Sequence, residues 1–156
     1  MFEIDIPGFG PVRFEHLVSD FTGTLSLDGR LLPGVRGQLT TIAGFMQVHI
    51  LTADTFGMAK DELEGVPCDI CILTGDNHDL QKEEYVRKVD AERVIAFGNG
   101  NNDRRMLRAA RVGIAVSQSE GCSVEALCAA DVHVTGADIG LDLLLHPKRL
   151  KAMLRF

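Results

Sequence analysis

Leu17-Val18-Ser19-Asp20-Phe21-Thr22-Gly23-Thr24-Leu25 is a short apolar run that ends in a carboxylate, followed by a hydroxyl, a glycine and a second hydroxyl. The apolar part reads as a buried strand that stops at Asp20. In an open α/β sheet, the carboxyl end of a central strand faces the crevice where ligands bind. Gly23 lets the backbone turn tightly and bare its N–H groups to an anion. Asp20 is therefore placed to attack an electrophile or to hold a metal.

Working outward, Phe2 to Ile6 alternates apolar and acidic residues, Pro7 to Pro11 is a turn, and Val12 to Phe14 returns as a second strand. This is an edge hairpin without evident chemistry. Beyond Asp20, Leu25 to Leu27 and Arg30 to Leu32 flank Asp28-Gly29, a two-residue hairpin signal beside the mouth of the crevice.

Pro33-Gly34 starts a helix expected to reach about Phe45. Met46 to Leu51 is a strand ending in Thr52-Ala53-Asp54, and a helix is expected from there to Leu63. Asp69 to Leu73 is a strand, Thr74 to Asn77 a turn, and Asp79 to Val89 a helix with Leu80, Val86 and Val89 facing inward. Arg93 to Phe97 is a strand ending in Gly98-Asn99-Gly100-Asn101-Asn102-Asp103, and a helix runs on to Ala110. Val112 to Val116 is a strand, Gly121 to Ala129 a helix, Val132 to Val134 a strand, and Ile139 to Leu145 a helix; Pro147 opens a final basic turn or helix. Strands alternating with helices define an α/β fold with a doubly wound parallel sheet. No repeat or linker interrupts it, so residues 1–156 read as a single domain.

Hydrophobic residues make up 46% of the chain and charged residues 24%, the balance of an ordinary soluble domain. A net charge of −6 without a long basic run speaks against nucleic acid as a partner, since sequence-independent binding needs many Lys or Arg contacts to phosphate. No apolar stretch approaches the roughly 20 residues of a membrane helix. The first residues, Met1-Phe2-Glu3-Ile4-Asp5, carry acid where a signal peptide needs base, so the expected compartment is the cytoplasm. The four cysteines fit free structural thiols. Cys68 and Cys71 have C-x-x-C spacing, but Cys122 and Cys128 are spaced differently and do not supply the second pair of a zinc site.

Asp20-Phe21-Thr22-Gly23-Thr24-Leu25 resembles the phosphorylation motif of P-type ATPases and is a variant of the first motif of the haloacid dehalogenase (HAD) superfamily. Thr52, at a strand end, resembles the second motif, Lys82 the third, and Gly98 to Asp103 the fourth. Thr74-Gly75-Asp76 is a competing match for the second motif; Thr52 is preferred because a helix of suitable length follows it and because Lys82 comes so soon after Thr74. The resemblance implies nucleophilic phosphoryl transfer. It gives catalytic parts to Asp20, Thr22, Thr52 and Lys82, and substrate binding to Gly23, Thr24, Ala53 and Asn102. It implies Mg²⁺ held by Asp20, the Thr22 carbonyl, Asn99 and Asp103.

Asp20 and Thr52 are 32 residues apart, too close for the nucleotide-binding insertion of a pump, and no cap domain fits between Thr52 and Lys82. The resemblance is thus to a capless, soluble member of the superfamily. It implies a small phosphorylated substrate, no membrane, and a homo-oligomer whose neighbour covers the site. Two departures stand out. Thr22 replaces the Asp that serves as general acid and base, and Asn99 replaces a metal-ligand Asp. The expected activity is a slow phosphatase working through an aspartyl phosphate at Asp20. The alternative is a catalytically weak phospho-acceptor or binding module. Arg104, Arg105, Arg108 and Arg111 read as a solvated helix face.

Overall fold

A computed structural model describes all residues 1–156. Six parallel strands form the central sheet: β3 (His16–Ser19), β6 (Gln47–Thr52), β7 (Asp69–Ile72), β8 (Val94–Gly98), β9 (Val112–Val116) and β10 (Val132–Val134). The remaining strands make two small hairpins, β1 (Phe2–Ile6) with β2 (Gly10–Phe14) and β4 (Ser26–Leu27) with β5 (Arg30–Leu31). The sheet order is β10-β9-β8-β3-β6-β7. The chain leaves β3 toward β6 and β7, then returns to the other side of β3 at β8. The loops that follow β3 and β8 therefore diverge, which opens a crevice at the carboxyl ends of these two strands.

Both faces of the sheet are covered, so its strands are apolar on both sides. Alternate residues feed opposite layers. Leu17, Ile50, Ile95 and Phe97 pack toward α1 (Val35–Ala43), α6 (Ala137–Leu145), α7 (Pro147–Leu154) and the β1–β2 hairpin. Val18, Leu51, Val94 and Ala96 pack toward α3 (His78–Lys88), α4 (Arg104–Ala109) and α5 (Val124–Ala129). All five residues of β8 and all five of β9 are buried.

The turn between β4 and β5 has the predicted two residues, Asp28 and Gly29, with φ of 50° and 81°. Two positive φ angles in sequence match the right-handed twist of a tight hairpin. This flap is tied down: Leu31 N–H donates to Glu62 at 2.8 Å and Asp28 N–H to Glu120 at 3.3 Å.

Three helices differ from expectation. The one after Thr52 is reduced to α2 (Ala59–Glu62). Asp54 sits in the left-handed region at φ 51° and its Oδ1 accepts from the N–H groups of Met58 and Ala59, so residues 53–58 form a capped turn instead. The helix expected from Gly121 starts only at Val124, because the Ser123 side chain caps it by accepting from Ala126 N–H. In α3 the inward face carries Lys82 and Val86, while Leu80 is 40% exposed. No helix is long and apolar enough to cross a membrane. Between Thr52 and Lys82 the chain forms only α2, β7 and short turns, so no cap covers the crevice.

Candidate active site

Asp20 follows β3 directly, and its N–H donates to Phe97 O of β8 at 2.9 Å. That bond pins the carboxylate at the point where the two loops part. Asp20 is 6% exposed, and Lys82 and Asp103 are fully buried. The Lys82 ammonium donates to Asp20 Oδ1 at 2.8 Å and to Asp103 Oδ1 at 2.6 Å. Lys82 lies in the second turn of α3, and its side chain runs inward between the loops after β3 and β8. It thus serves two carboxylates.

Asp103 has a second task. Its Oδ2 accepts from the N–H groups of Asn99 and Gly100, each at 2.9 Å, and so closes the loop after β8 around itself. Gly98 makes this possible: a Cβ there would lie 2.5 Å from Asp103 Cβ. The Thr24 hydroxyl lies 3.1 Å from both Asp20 Oδ2 and Asn99 Oδ1. Its single proton can serve only one of them at a time. Gly23, at φ 77°, passes so close to Asn99 that a Cβ would come within 2.5 Å of its amide nitrogen.

Two carboxylates share one buried ammonium. Burial, and then the charge of Asp103, push the Asp20 carboxyl up to about 6, against the pull of Lys82 and the bond from Thr24. Burial works against the charge of Lys82, yet Asp103 and Asp20 together hold its pKa above the ordinary lysine range.

A cavity of about 230 Å³ opens at this point, lined by Asp20, Thr22, Thr52, Ala53, Thr55, Asn99, Gly100 and Asn102. Most of the residues singled out in the sequence thus meet in one place. Thr52 is buried, and its hydroxyl oxygen accepts from Asp54 N–H at 2.9 Å, which leaves its proton for an anion. Thr74, the competing match, is exposed and does not line this cavity.

The donor set suits a hard divalent cation in kind: carboxylate, amide and carbonyl oxygens from Asp20, Asn99 and Thr22. The fit is leaner at Asp103, whose two oxygens already meet Lys82 and two backbone N–H groups. No cluster of three His, Cys, Asp or Glu side chains forms a cation cage anywhere in the chain.

Sequence reasoning passed over Gln118 and Thr55. Gln118 Nε2 donates to Thr24 O at 2.8 Å and Gly23 O at 3.0 Å, bracing the turn after Asp20. Its place just beyond β9 was the available signal, because that too is a strand's carboxyl end. Arg104 and Arg105 both pair with Asp79, and Arg111 stacks 4.3 Å over Phe9, so these arginines are committed to neighbouring side chains.

A doubly wound parallel sheet thus brings the strand-end Asp20, the buried Lys82 and the loop from Gly98 to Asp103 to one crevice, and the comparisons give the family. Residues 80–134 match the model of a haloacid dehalogenase-like hydrolase family. An uncharacterised protein of Methanocaldococcus jannaschii is 40% identical over 73 residues, which are 47% of this chain and 78% of that one. The chain belongs to the haloacid dehalogenase-like hydrolases.

Its fold is that of several solved structures. A putative 3-deoxy-D-manno-octulosonate 8-phosphate phosphatase from Vibrio cholerae superposes with a TM-score of 0.71 at 13% identity, covering 96% of this chain and 97% of that one. The corresponding Moraxella catarrhalis phosphatase, solved with magnesium, phosphate and the sugar, gives 0.64 at 18%, covering 85% and 86%. A cobalt-bound Haemophilus influenzae phosphatase gives 0.66 at 12%, covering 92% and 94%.

Proposed function

We propose that residues 1–156 form one catalytic domain, a slow Mg²⁺-dependent phosphohydrolase that acts on small phosphate esters through an aspartyl phosphate at Asp20. The observation that carries this reading is the buried Asp20 carboxylate, held at 2.8 Å by Lys82 on the wall of a cavity that Thr52 and Asn102 also line. The family membership and the divalent metals of the neighbouring phosphatases support it.

In the first half-reaction an Asp20 oxygen attacks phosphorus, the ester P–O bond breaks, and the leaving alkoxide takes a proton from water. In the second, water attacks the phosphorus of the acyl phosphate, releasing phosphate and the carboxylate. Thr52 donates its hydroxyl to a phosphoryl oxygen, and Asn102, with the N–H groups near Gly23 and Ala53, orients the group. Lys82 keeps Asp20 ionised and aimed. Asp20, Asn99, the Thr22 carbonyl and Asp103 would hold Mg²⁺, which supplies charge neutralisation to the transferring group. Thr22 offers no acid or base near neutrality, hence the slow turnover. The uncovered crevice favours a homo-oligomer whose neighbour closes over the flap. Thr22 and Asn99 also favour a second reading, a phospho-acceptor module that signals in its phosphorylated state.

The test is phosphate release from acetyl phosphate and a panel of esters, with and without Mg²⁺. Release that needs Mg²⁺ and disappears in Asp20→Asn supports the hydrolase. Phosphorylation of Asp20 without turnover selects the acceptor module.

A further inference from the structure

The loop after β9, residues 117–123, binds both the turn after Asp20 and the loop after β8. Its own base is fixed. Ser117 N–H donates to Val134 O of β10 at 2.9 Å, and Gly121 N–H closes a turn on Gln118 O at 2.7 Å. From this base the Gln118 side chain reaches the turn after Asp20. Its Nε2 donates to Thr24 O at 2.8 Å and to Gly23 O at 3.0 Å, with Ser26 O 3.4 Å away. Three carbonyls around one end of an amide decide its orientation: the nitrogen must face them, because the amide oxygen has no proton to give.

From Asp20 to Ser26 every backbone carbonyl but one has a donor. Asp20 O accepts from Ser19 Oγ at 2.7 Å, and Phe21 O from the N–H groups of Thr24, Leu25 and Ser26. Leu25 O accepts from Leu32 N–H, and Ser26 O from Gly23 N–H. Gln118 holds Gly23 O and Thr24 O. Thr22 O alone has no donor, and Thr22 lines the cavity beside Asp20. A backbone carbonyl left over in this way is a ready ligand for a hard cation. The same loop also sets the Asn99 amide. Asn99 Nδ2 donates to Gly121 O at 3.2 Å, which leaves Oδ1 beside Thr24, and Ser123 N–H donates to Asn99 O at 2.7 Å.

We propose that Gln118 is a positioning residue for the divalent cation: by holding the carbonyls of Gly23 and Thr24 it leaves that of Thr22 as the one donor the turn presents. Through Gly121 O, the loop that carries Gln118 orients the second uncharged donor, Asn99. The inference rests on the metal-dependent phosphatase reading above and goes beyond it, since Gln118 does not line the cavity. Groups behind a metal's ligands fix their direction, and removing one weakens the metal as surely as loss of fit at a ligand. Without the Gln118 amide, the carbonyls of Gly23 and Thr24 lose their donor and the turn can settle with another carbonyl toward the crevice.

One measurement uses the unaltered protein: carbonyl chemical shifts of isotope-labelled chain during titration with Mg²⁺ alone. Among residues 20–26 the largest shift is expected at Thr22, with Gly23 and Thr24 moving less. An equal or larger shift at either of those two overturns the proposal. A second measures Mg²⁺ affinity by calorimetry in Gln118→Met, which keeps the length of the side chain and donates nothing. Affinity should fall about tenfold or more; an unchanged affinity overturns the proposal and leaves the phosphatase intact. Acetyl phosphate hydrolysis separates positioning from mere support of the fold. In the variant, the Mg²⁺ concentration for half-maximal rate should rise by the same factor as Kd, while kcat at saturating Mg²⁺ approaches that of the parent. A kcat that stays low at any Mg²⁺ concentration makes Gln118 a structural support and overturns its role toward the cation. The expected shifts and affinities without any hydrolysis by the parent would sink the phosphatase reading alone, and a parent that takes up no Mg²⁺ overturns both.

Discussion

Lys82 Nζ and Asp20 Oδ1 lie 2.8 Å apart across 62 residues of sequence, and the lysine that makes this contact is completely buried. An unpaired buried ammonium is costly, and two carboxylates around one ammonium leave an excess negative charge. The site is thus poised toward cations, at some expense to the fold.

That expense has a pH signature. The Asp20 carboxyl is raised from 3.8 to about 6 in the folded chain, chiefly by burial and then by Asp103. A carboxyl raised on folding favours the fold fully below its unfolded value, and the benefit is lost as pH rises through about 6. Asn cannot ionise, so Asp20→Asn should melt higher than the parent at pH 8, by several degrees, since each kcal/mol moves Tm by about 2–4 °C at this size. The difference should vanish near the ordinary carboxylate range. Calorimetry in chelator across this span checks it, and a variant that melts lower at pH 8 contradicts it.

Removing the ammonium should have the opposite sign. Lys82→Met leaves Asp20 and Asp103 facing each other without compensation, and breaking a buried pair costs about 3–5 kcal/mol. The loss should shrink toward acid, where the carboxylates protonate. Urea unfolding at two pH values measures it; an equal loss at both would mean that packing, not charge, is what Lys82 supplies.

Asn99 bears on the metal. Its Oδ1 meets Thr24, and its amide contributes no formal charge where Asp103 is already occupied. Mg²⁺ should bind weakly in the absence of phosphate, and Asn99→Asp should tighten it. Titration calorimetry of both proteins decides, with equal affinities placing Asn99 away from the ion.

Much of this site could be read from the chain because strand ends announce themselves locally. Leu17 to Asp20, Ile50 to Thr52 and Phe97 to Asn99 are each an apolar run meeting a polar residue, and a parallel sheet brings such ends together. The burial of Lys82 was not readable that way. Its partners come from 62 and 21 residues away, and in its own helix Leu80 looks like the inward residue. Only the position of α3 over the loop after β8 reverses that choice. The shortened α2 was hidden for a similar reason: Asp54 favours a side-chain-capped turn over a helix, a choice made by its left-handed backbone.

In the proposed mechanism Thr22 limits the rate. General acid–base help is worth roughly 10²–10⁴-fold, and a threonine hydroxyl does not supply it. The protein should favour acyl phosphates and aryl esters over alkyl phosphates, since good leaving groups need little protonation. Thr22→Asp should raise turnover on alkyl esters most. Steady-state rates on both substrate types measure this, and rapid turnover of butyl phosphate by the parent would mean that another residue provides the proton.

The most direct measurement is mass spectrometry of protein quenched in acid during turnover of acetyl phosphate with Mg²⁺. A phosphoryl group on the peptide containing Asp20, absent in Asp20→Asn and longer-lived in the parent than in Thr22→Asp, is the predicted result. Hydrolysis that proceeds with no phosphorylated peptide, or with the label on another residue, would contradict the assignment of Asp20 as the nucleophile.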